Sequence, residues 1–195
     1  MQTPLPRSNI KKLRKWKDDP GIDIWSLDEV HFQQYGSRCR MWIPPEEKDP
    51  VVLHHPGRQS VGYFGAVRIR DGKRVYLRET GKFDGASFLA FMKHLWKTTS
   101  RSDKQAVVIT DNARYHHAKM HKEWRGARSE RMIFDFLPPY SPELNPIERL
   151  WKLTRRLCLH NRYFPQLDDV VSVVENQFQA WLKGSETVRK LCAIT

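Results

Sequence analysis

The chain has 195 residues, with 34 Lys and Arg against 22 Asp and Glu, a net charge of +12 and a pI near 9.8. Its 39% hydrophobic and 11% aromatic content is enough to build a core, which excludes a disordered chain. No run approaches the ~18 apolar residues of a membrane-spanning helix, and residues 1–7 lack the apolar block of a secretory signal.

Residues 1–20 read as a basic tail or solvated linker. Lys11, Lys12, Arg14, Lys15 and Lys17 crowd together before the turn signal Asp18-Asp19-Pro20-Gly21. Alternation then predicts a strand with Ile22, Ile24, Ser26 and Asp28 on one face and Asp23, Trp25, Leu27 and Glu29 on the other. Residues 40–43 read as a short strand stopped by Pro44-Pro45. Residues 61–69 read as a buried strand, and Asp71-Gly72 turns the chain into a partner strand over 74–78. Phe83, Phe88, Phe91, Met92, Leu95 and Trp96 follow helical spacing and predict a helix over 84–98.

Residues 105–110 have the continuous apolar character of a central parallel strand and end at Asp111-Asn112. A helix is expected over 114–124 and a strand over 132–137, ended by Pro138-Pro139. Asn145-Pro146 reads as the N-cap and first turn of another helix. Its stripe is Ile147, Leu150, Trp151, Thr154, Leu157 and Cys158. Pro165 breaks it, and a last helix is expected over 167–182, ended by Gly184.

Early hairpin strands followed by alternating strands and helices predict an α/β fold, with a mixed central sheet of about five strands and helices on both faces. The length suggests one domain over 21–162, preceded by the tail and followed by a helical extension over 163–195 packed on it. Cys39, Cys158 and Cys192 are dispersed and odd in number, which fits a reducing cytoplasm better than a disulfide framework or a paired-Cys zinc site. The positive excess points to a polyanion, foremost nucleic acid, with anionic lipid the lesser alternative.

Three carboxylates stand at ends of elements. Asp28 is near the end of the first strand and Asp111 at the end of the first strand that follows a helix. Adjacent strand ends lie ~5 Å apart, so two carboxylates there can share a hard cation. Glu29 faces away from Asp28, so one of the pair faces such a site. Asp28 is the choice made here, although strand spacing alone does not decide it. Glu148 lies at the rim of its helix stripe, on one arc with Lys152 and Arg155. A carboxylate followed by two cations suits metal-assisted chemistry on DNA; the same Asn145-x-x-Glu148 also reads as a capping box.

Three blocks resemble the catalytic blocks of mariner-superfamily transposases, in their bacterial insertion-sequence branch. They are Leu27-Asp28-Glu29-Val30-His31-Phe32, then Thr110-Asp111-Asn112-Ala113-Arg114-Tyr115-His116, then the fifteen residues 137–151 with four prolines. There are 36 residues between Asp111 and Glu148, near the spacing of that family's acidic triad. The resemblance implies a ribonuclease-H-like DDE catalytic domain with Asp28, Asp111 and Glu148 as catalytic and metal-binding residues. It implies two Mg2+ or Mn2+ ions, one activating the attacking oxygen and one stabilising the leaving oxygen. The implied activity is hydrolysis of a phosphodiester at the ends of the element, followed by attack of the freed 3′-hydroxyl on target DNA.

The implied partners are double-stranded DNA and a second copy of the chain in a synaptic homodimer. Family members commonly carry a helix-turn-helix region ahead of this domain. This chain starts too late to contain one, which suggests a truncated remnant or the second frame of a split gene. The implied location is the bacterial cytoplasm, on the nucleoid when bound to DNA. Asn112 and His116 match recurrent positions and are expected to orient Asp111 or touch phosphate. Arg149, Lys152, Arg155, Arg156 and Arg162 form the candidate DNA stripe. Competing readings are a related nuclease or integrase outside transposition, or an inactive DNA-binding remnant; the presence of all three acids counts against decay. His117-x-x-x-His121 has zinc-compatible spacing but lacks a neighbouring Glu. His54-His55 reads as loop. Trp42, Tyr63 and the aromatic residues of 88–96 read as core rather than as base-stacking platforms.

Overall fold

The computed structural model describes residues 7–40, 42–47, 51, 53, 55–139 and 141–194. Five strands form one sheet: β1 (Ile22–Gln33), β2 (Ser60–Arg68), β3 (Arg74–Glu79), β4 (Gln105–Thr110) and β5 (Met132–Phe136). The helices are α1 (Arg7–Asp18), α2 (Gly85–Thr99), α3 (Lys122–Gly126), α4 (Ile147–Cys158), α5 (Leu167–Ala180) and α6 (Glu186–Leu191). The strand order is β3-β2-β1-β4-β5. β1, β2 and β3 pair antiparallel; β1 with β4 and β4 with β5 pair parallel. The sheet is therefore mixed, and β1 at its centre joins a hairpin half to a crossover half.

The alternation read in β1 separates two cores. Ile24, Val30 and Phe32 face a core with Trp151, Phe178 and Val174 from α4 and α5. Trp25 and Leu27 face the other, with Phe88, Phe91, Met92 and Leu95 from α2. Helices cover both faces, and continuous burial along β2 and β4 follows from that coverage. Asp84 starts α2 by accepting from the Ala86 and Ser87 amides at 2.9 Å, with Ser87 closing the box.

Several expectations are corrected. The tail over 7–18 is a helix, because Leu13 is buried against the α4–α5 core and Lys12 pairs with Asp135 at 2.5 Å. Residues 40, 42 and 43 form no strand, and Trp42 is fully exposed rather than core. The chain just ahead of it is tied to Asn161 rather than to a sheet edge, the Cys39 amide donating to Asn161 Oδ1 at 3.0 Å and the Asn161 amide to the Ser37 carbonyl at 2.9 Å; Met41 lies outside the described residues. The helix expected over 114–124 is two 3-10 turns, Arg114–His117 and Lys119–His121, followed by α3. His116 and His121 turn inward to polar partners, where a regular helix would need an apolar stripe. Leu157 is exposed, so the α4 stripe is narrower than its sequence suggests. Tyr63, Phe88 and Phe91 are buried and Trp96 is half-buried; His54 lies outside the described residues.

Beneath α4 and α5 lies an unusual cation. Arg74 is 2% exposed and stacks on the Phe178 ring at 3.4 Å, near Trp151 and Trp181. Its two terminal nitrogens have no hydrogen-bond partner among the described residues, and burial pushes its guanidinium down to about 9. Removing such a charge while keeping its volume is neutral or favourable. Arg74→Met is expected to keep or raise the thermal midpoint, and Arg74→Ala to cost about 3 kcal/mol through the cavity it leaves. Thermal melts of the two variants check this.

Candidate active site

The register of the parallel pair decides what meets at the centre of the sheet. The last paired residues of β1 and β4 are Ser26 and Ile109. Two residues further along each chain come Asp28 and Asp111, at the same level where the two strands part. Beyond this point β1 continues against β2 alone, with Asp28 opposite Gly65. The gap between β1 and the end of β4 is the mouth of a cavity.

Helix α4 closes that mouth, held by β1 itself. The Ser26 hydroxyl donates to Asn145 Oδ1 and accepts from the Ile147 amide at 3.0 Å, and Asn145 Nδ2 donates to the Leu27 carbonyl at 3.0 Å. Asn145 is therefore not the N-cap expected from sequence. Pro146 occupies that position with no side-chain cap bond, because the buried Asn145 amide has found stronger partners on β1. Glu148 is in the first turn and is not used as a capping-box acid. One turn on, Trp151 Nε1 donates to Asp28 Oδ2 at 3.1 Å. Gly65 makes this contact fit: a Cβ there would lie 2.4 Å from the indole.

The resulting cavity, of about 420 Å3, is lined by Asp28, Asp111, Glu148, Asn112, Asn145 and, from the proline-rich loop, residues 137–139, 141 and 142. Three acids from three elements thus share one space. Asp28 is buried, whereas Asp111 and Glu148 are half-exposed. Burial first, and then the charges of Glu29, Glu148 and Asp111, push the Asp28 carboxyl up to about 8. Asp111 goes the other way: the hydrogen bond from His116 holds it below the ordinary carboxylate range. Among the described residues no Lys or Arg pairs with any of these three acids. Oxygen donors gathered in one cavity with no Lys or Arg to neutralise them are a fitting set for hard divalent cations.

A family model for DDE superfamily endonucleases matches residues 23–171. The chain belongs to this DDE family. Among its relatives, an uncharacterised protein y4pE/y4sA of Sinorhizobium fredii is 35% identical over 111 residues, covering 56% of this chain and 76% of its own. The Tcb1 transposable-element transposase of Caenorhabditis briggsae is 28% identical over 156 residues, covering 74% of this chain and 53% of its own. The DDE domain thus spans about half the length of that transposase.

The solved catalytic domain of Mos1 mariner transposase superposes with a TM-score of 0.57 at 13% identity, covering 98% of this chain and 90% of that one. A Mos1 paired end complex with Mn gives 0.63 at 15% identity, covering 97% and 60%. The fold of this DDE domain is ribonuclease-H-like.

The remaining candidate residues scatter. Asn112 is exposed at the cavity and contacts His117 Nε2. His116 is completely enclosed, which removes it from any phosphate and leaves it facing Asp111. His117 and His121 do not converge: His121 is buried against the carbonyls of Gly85 and His116. On α4, Lys152 and Arg156 are exposed, as is Arg162 beyond it. Arg149 instead donates to the carbonyls of Leu191 and Ala193 at 3.1 and 3.0 Å, and Arg155 lies over Phe32. Sequence reading missed Trp151 and Ser26 as holders of the site. The signal was present in Ser26, a polar residue on the same strand face as Asp28.

Two outcomes follow in this DDE domain. Gly65→Ala is expected to cost about 1–3 kcal/mol by overpacking against Trp151 and to loosen its bond to Asp28; denaturant melts check the first. The Asp28 carboxyl titrates at about 8 when folded against 3.8 ordinarily, so its contribution to stability is complete below about 4 and is lost as pH rises through 8. In chelator, the thermal midpoint of the parent is expected to fall more steeply than that of Asp28→Asn between pH 5 and 9.

Proposed function

We propose that the chain is the catalytic domain of a DNA transposase. It cuts DNA at the ends of a mobile element by divalent-metal-dependent phosphodiester hydrolysis and joins the resulting 3′-hydroxyl to target DNA. The observation that carries the reading is the convergence of Asp28, Asp111 and Glu148 on one open cavity that no Lys or Arg neutralises. In this reading these three residues hold two Mg2+ or Mn2+ ions. When bound, such ions polarise the phosphate and lower the pKa of water.

The chain's own groups do the rest. Trp151 fixes Asp28, and the Ser26–Asn145 contact fixes the helix that carries Glu148. The prolines at 138, 139 and 142 line the cavity with few conformational freedoms. Lys152 and Arg156, exposed on the helix that carries Glu148, hold backbone phosphates and so set the duplex in register with the acids. Two DNA ends are handled by a homodimer. Membership of the DDE family and a fold shared with the Mos1 paired end complex support the DNA substrate.

Nicking of supercoiled plasmid in Mg2+ or Mn2+ tests the reading. Asp111→Asn is expected to reduce nicking to background while DNA affinity persists; nicking equal to the parent's overturns it. Lys152→Ala is expected to make the slope of log affinity against log salt shallower by about one. Fluorescence anisotropy across a salt series measures that slope.

A further inference from the structure

The three acids are held by different means. Asp28 is fixed by its strand and by the Trp151 indole, and Glu148 by the first turn of α4. Asp111 lies just past the last residue of β4 and is half-exposed. Its support comes from behind the cavity. The Ala113 amide donates to Asp111 Oδ1 at 3.2 Å, and His116 Nδ1 lies 3.0 Å from the same oxygen.

The His116 ring has no exposed surface and stacks on Phe88 with centroids 4.1 Å apart. Its backbone carbonyl accepts from Arg125 Nη1 at 3.2 Å and faces His121 Nδ1 at 3.2 Å. Its other ring nitrogen, Nε2, faces Glu29 Oε2 at 3.8 Å, and neither atom has a hydrogen-bond partner among the described residues. Glu29 is held in turn by the Tyr115 hydroxyl.

We propose that Glu29 and His116 are positioning residues for Asp111, a carboxylate–imidazole pair reaching through the end of the sheet to set the orientation in which Asp111 meets a cation. The inference rests on the proposed function and deepens it. The two acids adjacent in sequence divide the work by the alternation of the strand. Asp28 points into the cavity, and Glu29, on the opposite face, braces the acid that enters the cavity from the next strand. A carboxylate facing the second nitrogen of an imidazole at ion-pair distance favours one tautomer and ring orientation, and outer partners of this kind tune metal affinity. A separate metal ion held by Glu29, Asp111 and His116, whose donor atoms lie within 4.8 Å of one another, fits less well. The ring is enclosed, and its Nδ1 is already engaged with Asp111.

The test is Mn2+ binding to the full chain without DNA, by isothermal titration calorimetry, alongside plasmid nicking across Mn2+ concentrations. His116→Ala and Glu29→Gln are expected to weaken Mn2+ binding about 10–100-fold. Nicking is expected to shift to higher Mn2+ by the same factor and to recover at saturation, with metal-free DNA affinity unchanged. His116→Asn, whose amide can donate from near the Nδ1 position, is expected to restore part of the affinity lost in His116→Ala.

Parental Mn2+ affinity in folded His116→Ala or Glu29→Gln overturns the proposal. If His116→Ala does not fold, Glu29→Gln decides by the same criterion. Asp111→Asn separates the two levels. Loss of binding there, with parental binding in Glu29→Gln and His116→Ala, overturns the positioning role alone. Parental binding in Asp111→Asn overturns the proposed function and the positioning role together.

Discussion

The site depends on one crossing, that of α4 over the centre of β1. Nothing in the sheet ladder reaches α4. It is tied by the Ser26–Asn145–Ile147 contacts at its start and by the indole of Trp151 one turn later. Each of these polar groups is buried, where an unmade hydrogen bond costs about 1–3 kcal/mol. The crossing is therefore specified in register as well as in direction. A one-residue slip would orphan Ser26, Asn145 and Asp28 at once and would also carry Glu148 out of the cavity.

The same crossing creates an electrostatic problem that the rest of the fold manages. Asp28 is buried beside three other carboxylates, and a raised carboxyl is the cost of holding it there without a cation. Asp111 is eased by His116, and Glu29 is partly eased by Tyr115 against its burial. Basic residues surround the region without entering it: Arg149 and Arg155 are turned to backbone and ring partners, and Lys152 and Arg156 face outward. A Lys or Arg among the acids would neutralise them and fill the space that a metal ion needs. The surface charge can then attract a polyanion without quenching the pocket.

Much of this was legible in sequence, for identifiable reasons. Period-two alternation in β1 put Asp28 and Glu29 on opposite faces, and the two cores bear that separation out. The hairpin, the central strand and the amphipathic helices follow from local pattern. What failed was decided by distant partners. Asn145 looked like a cap because its neighbours make a good one, but a buried strand hydroxyl competes better. The segment 114–124 looked helical, yet His116 and His121 are drawn inward one by one. Trp42 looked like core, but the chain ahead of it is drawn to Asn161, far along the sequence, and not to the sheet. The register of β1 against β4, which makes Asp28 and Asp111 neighbours, has no local signature at all.

Arg149 has a wider implication. Its guanidinium clasps the carbonyls of Leu191 and Ala193, one residue along from Glu148, while Lys17 reaches the Ile194 carbonyl from α1. The C-terminal end of the described chain is thus fastened to the last turn of α1 and to the helix that bears an acid of the pocket. Fraying at the C-terminal end would be transmitted mechanically to that acid through Arg149 and through Cys192, whose thiol reaches the Pro146 carbonyl at 3.5 Å.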